Sequence, residues 1–381
     1  MKIAVLKEHQ PFEKRVAATP ETVRKLKAMN IDVVVEKDAG LEASYTDAAY
    51  VDAGATIAPD SKSAANEADI ILKVQSPLSA SESFDETASF KRGVKLIGML
   101  APYTNKDELI AYANKGIDAF SLELVPRITR AQSMDVLSSQ SNLAGYRAVI
   151  DAAAEFGRAF PMMMTAAGTV APARVMVMGA GVAGLQAIAT AKRLGAVVCA
   201  TDVRLAAKEQ VQSLGGTFVM VEDEETKQAE TSGGYAKEMS EAYKAKQAAL
   251  IADTIKKQDI VICTALIPGR KAPRLVSDDM LKTMKQGSVV IDLAAEQGGN
   301  CEGSHWGKTV QRHGVKIVSP ANIASSVAVD ASALYAKNVL QFLTLIVDSK
   351  TGQLAINWDD EIIKATALTK DGAIIHPNFK S

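Results

Sequence analysis

Three glycines and one aspartate carry the clearest chemistry in this chain. Gly179, Gly181 and Gly184 stand where the apolar run Arg174–Met178 meets a GxGxxG turn, and the turn opens a helix over Val182–Leu194. A second apolar strand, Val197–Thr201, follows, and Asp202 ends it eighteen residues after Gly184. Each glycine has its own task. Gly179 permits the tight turn, Gly181 lets the backbone approach a pyrophosphate, and Gly184 lets the helix pack close to the strand. The helix N-terminus offers free N–H groups and the positive end of its dipole to that pyrophosphate. Asp202 is placed to accept hydrogen bonds from the adenosine ribose hydroxyls, and its charge repels a 2′-phosphate. The pattern therefore predicts NAD(H) rather than NADP(H). Arg204 is a side chain of the type that holds a 2′-phosphate, but Asp202 occupies the discriminating place. Glycines kept for packing alone would not explain the order strand, turn, helix, strand, acid.

A second constellation runs from Arg127 through Gln132, Asp135 and Ser138 to Gly145 and is dense in polar donors. It falls between a strand end and a long helix, where an interdomain cleft would open, and ligands favour such clefts. Arg127 could pair with Asp135, and either could hold a carboxamide or a phosphate. The alternative is a helix cap with surface salt bridges. Elsewhere the chemistry is sparse. The four histidines, His9, His305, His313 and His376, have no partners at metal spacing, so no metal site is expected. There is no nucleophile elbow. No histidine sits in an obvious sheet-edge position where a proton acceptor would stand; His9 is the nearest.

These residues need a scaffold, and the chain reads as two β/α series. In the first, Lys2–Leu6, Ile31–Glu36, Ile70–Val74, Lys95–Leu100 and Asp118–Leu122 are strand candidates, with helical stretches between them. Thr19 followed by Pro20 is a good helix start, leading to about Met29. A long helix is expected over Ser138–Phe160, ended by Pro161; the segment Pro161–Ala173 breaks the pattern. In the second series the candidates are Arg174–Met178, Ala196–Thr201, Thr217–Val221, Asp259–Thr264, Ser288–Asp292 and Val315–Val318. Ser332–Ile346 reads as a helix returning the chain to the first domain, and Gly352–Ser381 as a β-hairpin closing on it. Glu222–Ala249 is a polar insertion centred on Ser232-Gly233-Gly234; long loops of this kind are functional or solvated. The fold class is α/β: two Rossmann-like, doubly wound parallel-sheet domains joined by long helices. One spans residues 1–137 plus 330–381, the other 138–329.

Composition bounds the rest. The 381 residues suit two or three domains, with 48% hydrophobic and 23% charged residues. A net charge of −1 and 5% aromatics argue against a nucleic-acid surface. Cys199, Cys263 and Cys301 lack paired spacing, which fits a reducing compartment. The Met1 end shows no signal peptide, and apolar stretches such as Val339–Val347 are too short to span a membrane, so no direct membrane insertion is expected.

The stretches RITRAQSMDVLSSQSNLAGYRAVIDAA and MMMTAAGTVAPARVMVMGAGVAGLQAIATAKRLGA closely resemble the NAD(H)-binding component of proton-translocating nicotinamide nucleotide transhydrogenases. KRVAATPETV, TALIPGRKAP and VVIDLAAEQGGN resemble it too, and the likeness covers essentially the whole chain. The resemblance implies an NAD(P)+ transhydrogenase of the Si-specific/Re-specific class, passing hydride between NADH here and NADP+ on a partner domain. It implies a homodimer, an NADP(H)-binding partner and membrane-spanning subunits that couple the transfer to proton flow. The chain would be cytoplasmic, held peripherally at the inner membrane through those subunits. It further implies that Arg127, Gln132, Asp135 and Ser138 hold the nicotinamide end. The rest of the nucleotide falls to Val182, Val203, Arg204, Thr264, Ala265 and Leu266 beside the glycines and Asp202. Gly234 and Tyr235 belong to the stretch that matches the family's mobile loop.

The family is also similar to alanine dehydrogenases. Arg15 and Lys73 match positions that handle the substrate carboxylate and carbonyl there. The catalytic His position falls at Met99, which cannot shuttle a proton, and the catalytic Asp position at Glu296. These departures imply that an amino-acid site is lost. A non-catalytic NAD sensor is a third reading, but it would need only the adenosine half of the site.

Overall fold

A computed structural model describes residues 1–78, 84–222, 240–267 and 269–380. The chain divides into two units, Met1–Gln140 with Ala324–Ser381, and Ser141–Ile323. The first division falls inside the helix Val136–Glu155.

In the first unit, six described strands are β1 (Lys2–Val5), β2 (Asp32–Glu36), β3 (Thr56–Ala58), β4 (Ile70–Gln75), β5 (Lys95–Met99) and β6 (Asp118–Ser121). They form one parallel sheet in the order β3-β2-β1-β4-β5-β6. The strands are short apolar runs because helices cover both faces of such a sheet; Ile3, Val5, Ile70, Leu72 and Ile97 are all buried. The helix Pro20–Ala28 begins as its sequence dictates. Thr19 caps it, Thr22 returns the bond, and Pro20 occupies the first turn.

In the second unit, a hairpin of β7 (Met163–Thr165) and β8 (Gly168–Val170) precedes the main sheet. That sheet holds β9 (Arg174–Met178), β10 (Val197–Thr201), β11 (Thr217–Phe218), β12 (Ile260–Cys263), β13 (Val289–Asp292), β14 (Lys308–Arg312) and β15 (Val315–Ser319). Their order is β11-β10-β9-β12-β13-β15-β14, parallel except for β14. Both sheets reverse direction of growth beside their first strand, the point at which open α/β sheets take ligands.

Several elements differ from expectation. The helix after Asp135 runs over Val136–Glu155, not Ser138–Phe160. It starts earlier because Asp135 accepts the Ser138 N–H, and it stops short near Gly157, a poor helix residue. Pro161–Ala173 holds the β7–β8 hairpin, which turns through Gly168 at φ +141°. The helix expected over Ser332–Ile346 begins at Ala328 and lies wholly in the first unit. The tail forms two small hairpins, Val347–Asp348 with Gln353–Leu354 and Thr369–Lys370 with Ala373–Ile374, separated by a helix over Glu361–Thr366. The insertion Glu222–Ala249 is not all loop, since Glu241–Ile255 is helical and capped by Ser240. Among the described residues no helix is long and apolar enough to cross a membrane, and no His, Cys, Asp and Glu group could hold a metal ion.

Candidate functional site

The strand β9 delivers the chain to Gly179 at the carboxyl edge of the second sheet. Gly179 has φ +104°, a conformation L side chains rarely adopt. Its N–H donates to the Thr201 carbonyl at 2.9 Å, tying the turn to the end of β10. A Cβ on Gly184 would lie 1.8 Å from the Gly179 carbonyl oxygen, so only glycine lets the helix Val182–Arg193 sit this close. At Gly181 a Cβ would meet nothing within 4 Å. That space opens beside the N-terminus of the helix, so the cradle has room for a pyrophosphate and N–H groups to bind it. The three glycines thus divide their work as the fit of a dinucleotide requires.

Asp202 closes the site on the β10 side. Its Oδ2 accepts the Ala180 N–H at 2.7 Å, and its Oδ1 accepts the Arg204 N–H at 2.9 Å. The Arg204 guanidinium adds bonds of 2.9 Å to Oδ1 and 3.0 Å to Oδ2. Burial alone would push the Asp202 carboxyl up, but these bonds together hold it below the usual carboxylate range. On the β12 side, Thr264 Oγ1 donates to the Gly179 carbonyl at 3.0 Å, and the Thr264 N–H to the Met178 carbonyl at 2.9 Å. Val182, Val203 and Leu266 are exposed apolar side chains at the carboxyl ends of β9, β10 and β12, a surface suited to a planar base. Gly234 and Tyr235 lie outside the described residues.

Asn300 was not among the expected residues, and Gly145, expected only as the end of the polar constellation, has a packing role. Asn300 is fully buried. Its side chain accepts the Ala265 N–H at 3.1 Å and donates to the Ala265 carbonyl at 2.9 Å and the Pro273 carbonyl at 2.8 Å. It therefore fixes the Thr264–Leu266 edge of the site. The only hint was its place at the end of VVIDLAAEQGGN. Gly145 lets its helix cross the start of the Val182–Arg193 helix, since a Cβ there would lie 2.0 Å from the Ala183 carbonyl oxygen.

In the first unit, Arg127 and Gln132 are exposed, and Asp135 and Ser138 half-buried. Of the two readings open for this segment, the structure shows the helix cap and not the Arg127–Asp135 pair. Asp135 instead accepts the Ser138 N–H at 2.9 Å and the Ser138 hydroxyl at 2.5 Å, capping the helix it precedes. A capping carboxylate has its best partners within its own turn. Arg127 makes no ion pair among the described residues, which leaves its fork open to solvent.

Arg15 and Lys73 are buried and met by carboxylates of the same chain. Arg15 bonds Glu13 at 2.7 and 2.6 Å and Gln140 at 2.8 Å. Lys73 lies 2.8 Å from Glu86 and 3.5 Å from Glu8. Burial pushes Glu8 up to about 7, against the pull of Lys73. Met99 ends β5, and Glu296 is exposed in a short turn. His9 sits 4.0 Å from Glu36 and edge-on to Phe84.

Comparison with known proteins fits this geometry. Residues 4–144 match the family described as alanine dehydrogenase/PNT, N-terminal domain, and residues 148–377 its C-terminal domain. The chain is 58% identical over 377 residues to a Rhodospirillum rubrum chain named as the first portion of NAD(P) transhydrogenase subunit alpha, covering 99% of this chain and 98% of that one. Among solved structures, a transhydrogenase from Sinorhizobium meliloti superposes with a TM-score of 0.89 at 53% identity, over 98% of this chain and 100% of that one. An L-alanine dehydrogenase superposes at 0.81 with 24% identity, over 100% of this chain and 98% of the other, a likeness of fold.

Proposed function

The chain belongs to the alanine dehydrogenase/PNT family, and from that premise we propose that it is the NAD(H)-binding component of a proton-translocating nicotinamide nucleotide transhydrogenase. The observation that carries this reading is the 58% identity, along nearly the whole of both chains, to a protein named as a transhydrogenase alpha subunit. The glycine turn and Asp202 support NAD(H) as the nucleotide held here.

When bound, the reduced nicotinamide supplies a hydride to the oxidised ring of NADP+ on a partner domain. The chain's own residues bind and orient. The amides of the Gly179–Gly184 turn and the helix N-terminus receive the pyrophosphate. Asp202 reads the adenosine ribose, and Val182, Val203 and Leu266 line the base. Thr264 and Ala265 border the turn. Arg127, Gln132, Asp135 and Ser138 hold the carboxamide and so present one face of the ring. No side chain need accept a proton when hydride moves directly between rings, and Met99 is suited to none. Positioning is then most of the catalysis. On this reading the chain works as a homodimer beside NADP(H)-binding and membrane-spanning subunits, which couple transfer to proton flow and hold it at the membrane.

Steady-state assays test the proposal. The full chain mixed with an isolated NADP(H)-binding transhydrogenase domain should reduce NADP+ at the expense of NADH, and the chain alone should not oxidise L-alanine with NAD+. Alanine-dependent NADH formation would instead make it an amino-acid dehydrogenase.

A further inference from the structure

Asp202 does more than repel a phosphate, a role that rests on NAD(H) being the nucleotide held here. A carboxylate has about four places for hydrogen bonds. Asp202 accepts four donors from its own chain: the Ala180 and Arg204 N–H groups, and Nε and Nη2 of Arg204. The two backbone donors belong to the turn and to the strand end, which hold them in place. The guanidinium belongs to a side chain one-third exposed. A ribose diol that donates to both oxygens of Asp202 must therefore take the places now filled by Nε and Nη2.

Arg204 is also the kind of group that binds a phosphate best. Its planar fork matches two phosphate oxygens, and its charge is permanent. In this chain that fork is turned onto Asp202. We propose that Arg204 is a latent 2′-phosphate site, silenced by its ion pair with Asp202. Selectivity then belongs to the pair. Asp202 repels the 2′-phosphate of NADP(H) and also holds away the cation that would attract it. With the carboxylate charge removed, the fork can turn to a 2′-phosphorylated adenosine, and the site gains NADP(H) rather than merely ceasing to reject it.

The test is a double-mutant cycle on the full chain, read by equilibrium titration of NADH and NADPH through dihydronicotinamide fluorescence. The variants are Asp202→Asn, Arg204→Ala and both together. Asp202→Asn removes the charge while keeping an oxygen for the Ala180 N–H; Asp202→Ala repeats the cycle without that oxygen. Asp202→Asn should tighten NADPH about tenfold or more, and adding Arg204→Ala should cancel that gain. In competition titrations, 2′,5′-ADP should gain on the Asp202→Asn variant and 5′-AMP should not. An equal NADPH gain with and without Arg204, or no gain at all, would overturn the proposal while normal NADH binding left the NAD(H) reading intact. Failure of the unaltered chain to bind NADH would overturn both.

Discussion

Asp202 reaches from the end of β10 to the glycine turn, where its Oδ2 accepts the Ala180 N–H at 2.7 Å. The carboxylate that would read a ribose is thus also a strut for the loop that would receive the pyrophosphate. Gly179 ties the same two segments a second time through its 2.9 Å bond to Thr201. The end of β10 and the glycine turn are therefore tied together at two points, the kind of linkage that pre-organises a binding constellation.

The glycines of this turn should separate binding from stability. Gly181→Ala adds a methyl to open space, so it should leave the melting temperature within about a degree and weaken NADH at least about tenfold by obstructing the phosphate approach. Gly184→Ala drives a Cβ onto the Gly179 carbonyl and should destabilise the fold by about 1–3 kcal/mol. Thermal melts and NADH titration of both variants check this. A Gly181→Ala protein with full affinity would remove the turn from the site.

Asn300→Ala leaves the N–H and C=O of Ala265 without their buried partner. The cost should be about 1–3 kcal/mol of stability, and NADH should bind more weakly because the Thr264–Leu266 edge loosens. Asn300→Asp should not restore the protein, since a carboxylate cannot donate to the Ala265 and Pro273 carbonyls. Denaturant unfolding with parallel NADH titration reads both effects.

Glu8 should make stability fall with pH. Its folded value of about 7 lies above the ordinary 4.5, so the folded chain keeps a proton that the unfolded chain releases. Stability should decline between about pH 4.5 and 7 and level off above that range. The carboxylates Glu8, Glu13 and Glu86 outnumber Arg15 and Lys73 in this cluster, so a proton on Glu8 balances its charge. Glu8→Gln should flatten the pH dependence and gain a few degrees relative to the unaltered chain at pH 8. Melting curves from pH 5 to pH 8 give the answer; identical slopes for the two proteins would refute the assignment.

Arg127→Ala should slow hydride transfer more than it weakens NADH binding, since its fork is exposed and its loss leaves no buried group unpaired. Asp135→Ala should do both, because it also removes a helix cap, at about 0.5–2 kcal/mol. Single-turnover rates beside equilibrium titrations separate the two. An unchanged rate in Arg127→Ala would remove it from the nicotinamide end.

The parts legible in the sequence were those set by local chemistry. The conformations of Gly179 and Gly184 follow from the turn itself, the Pro20 helix from its cap, and the central strands from β-branched runs buried on both faces. What escaped depends on distant neighbours. The edge strand β14 reads KTVQR, with too little apolar content to mark it, and is visible only through its pairing with β15. Gly145 looks like a fault in a helix until Ala183 is seen above it. Asn300 looks like a loop residue until the edge it pins is in place. Spacing alone left Asp135 open between a pair with Arg127 and a helix cap; Ser138 decides for the cap by offering two nearer donors.

The most direct test of the central claim is a stopped-flow single turnover with NADH deuterated at the transferring position, the full chain, and an isolated NADP(H)-binding transhydrogenase domain loaded with NADP+. The account predicts that the deuterium appears on NADPH with none lost to water, and that no transfer occurs when either protein is left out. Label lost to solvent, or no transfer by a chain that binds NADH, would contradict it.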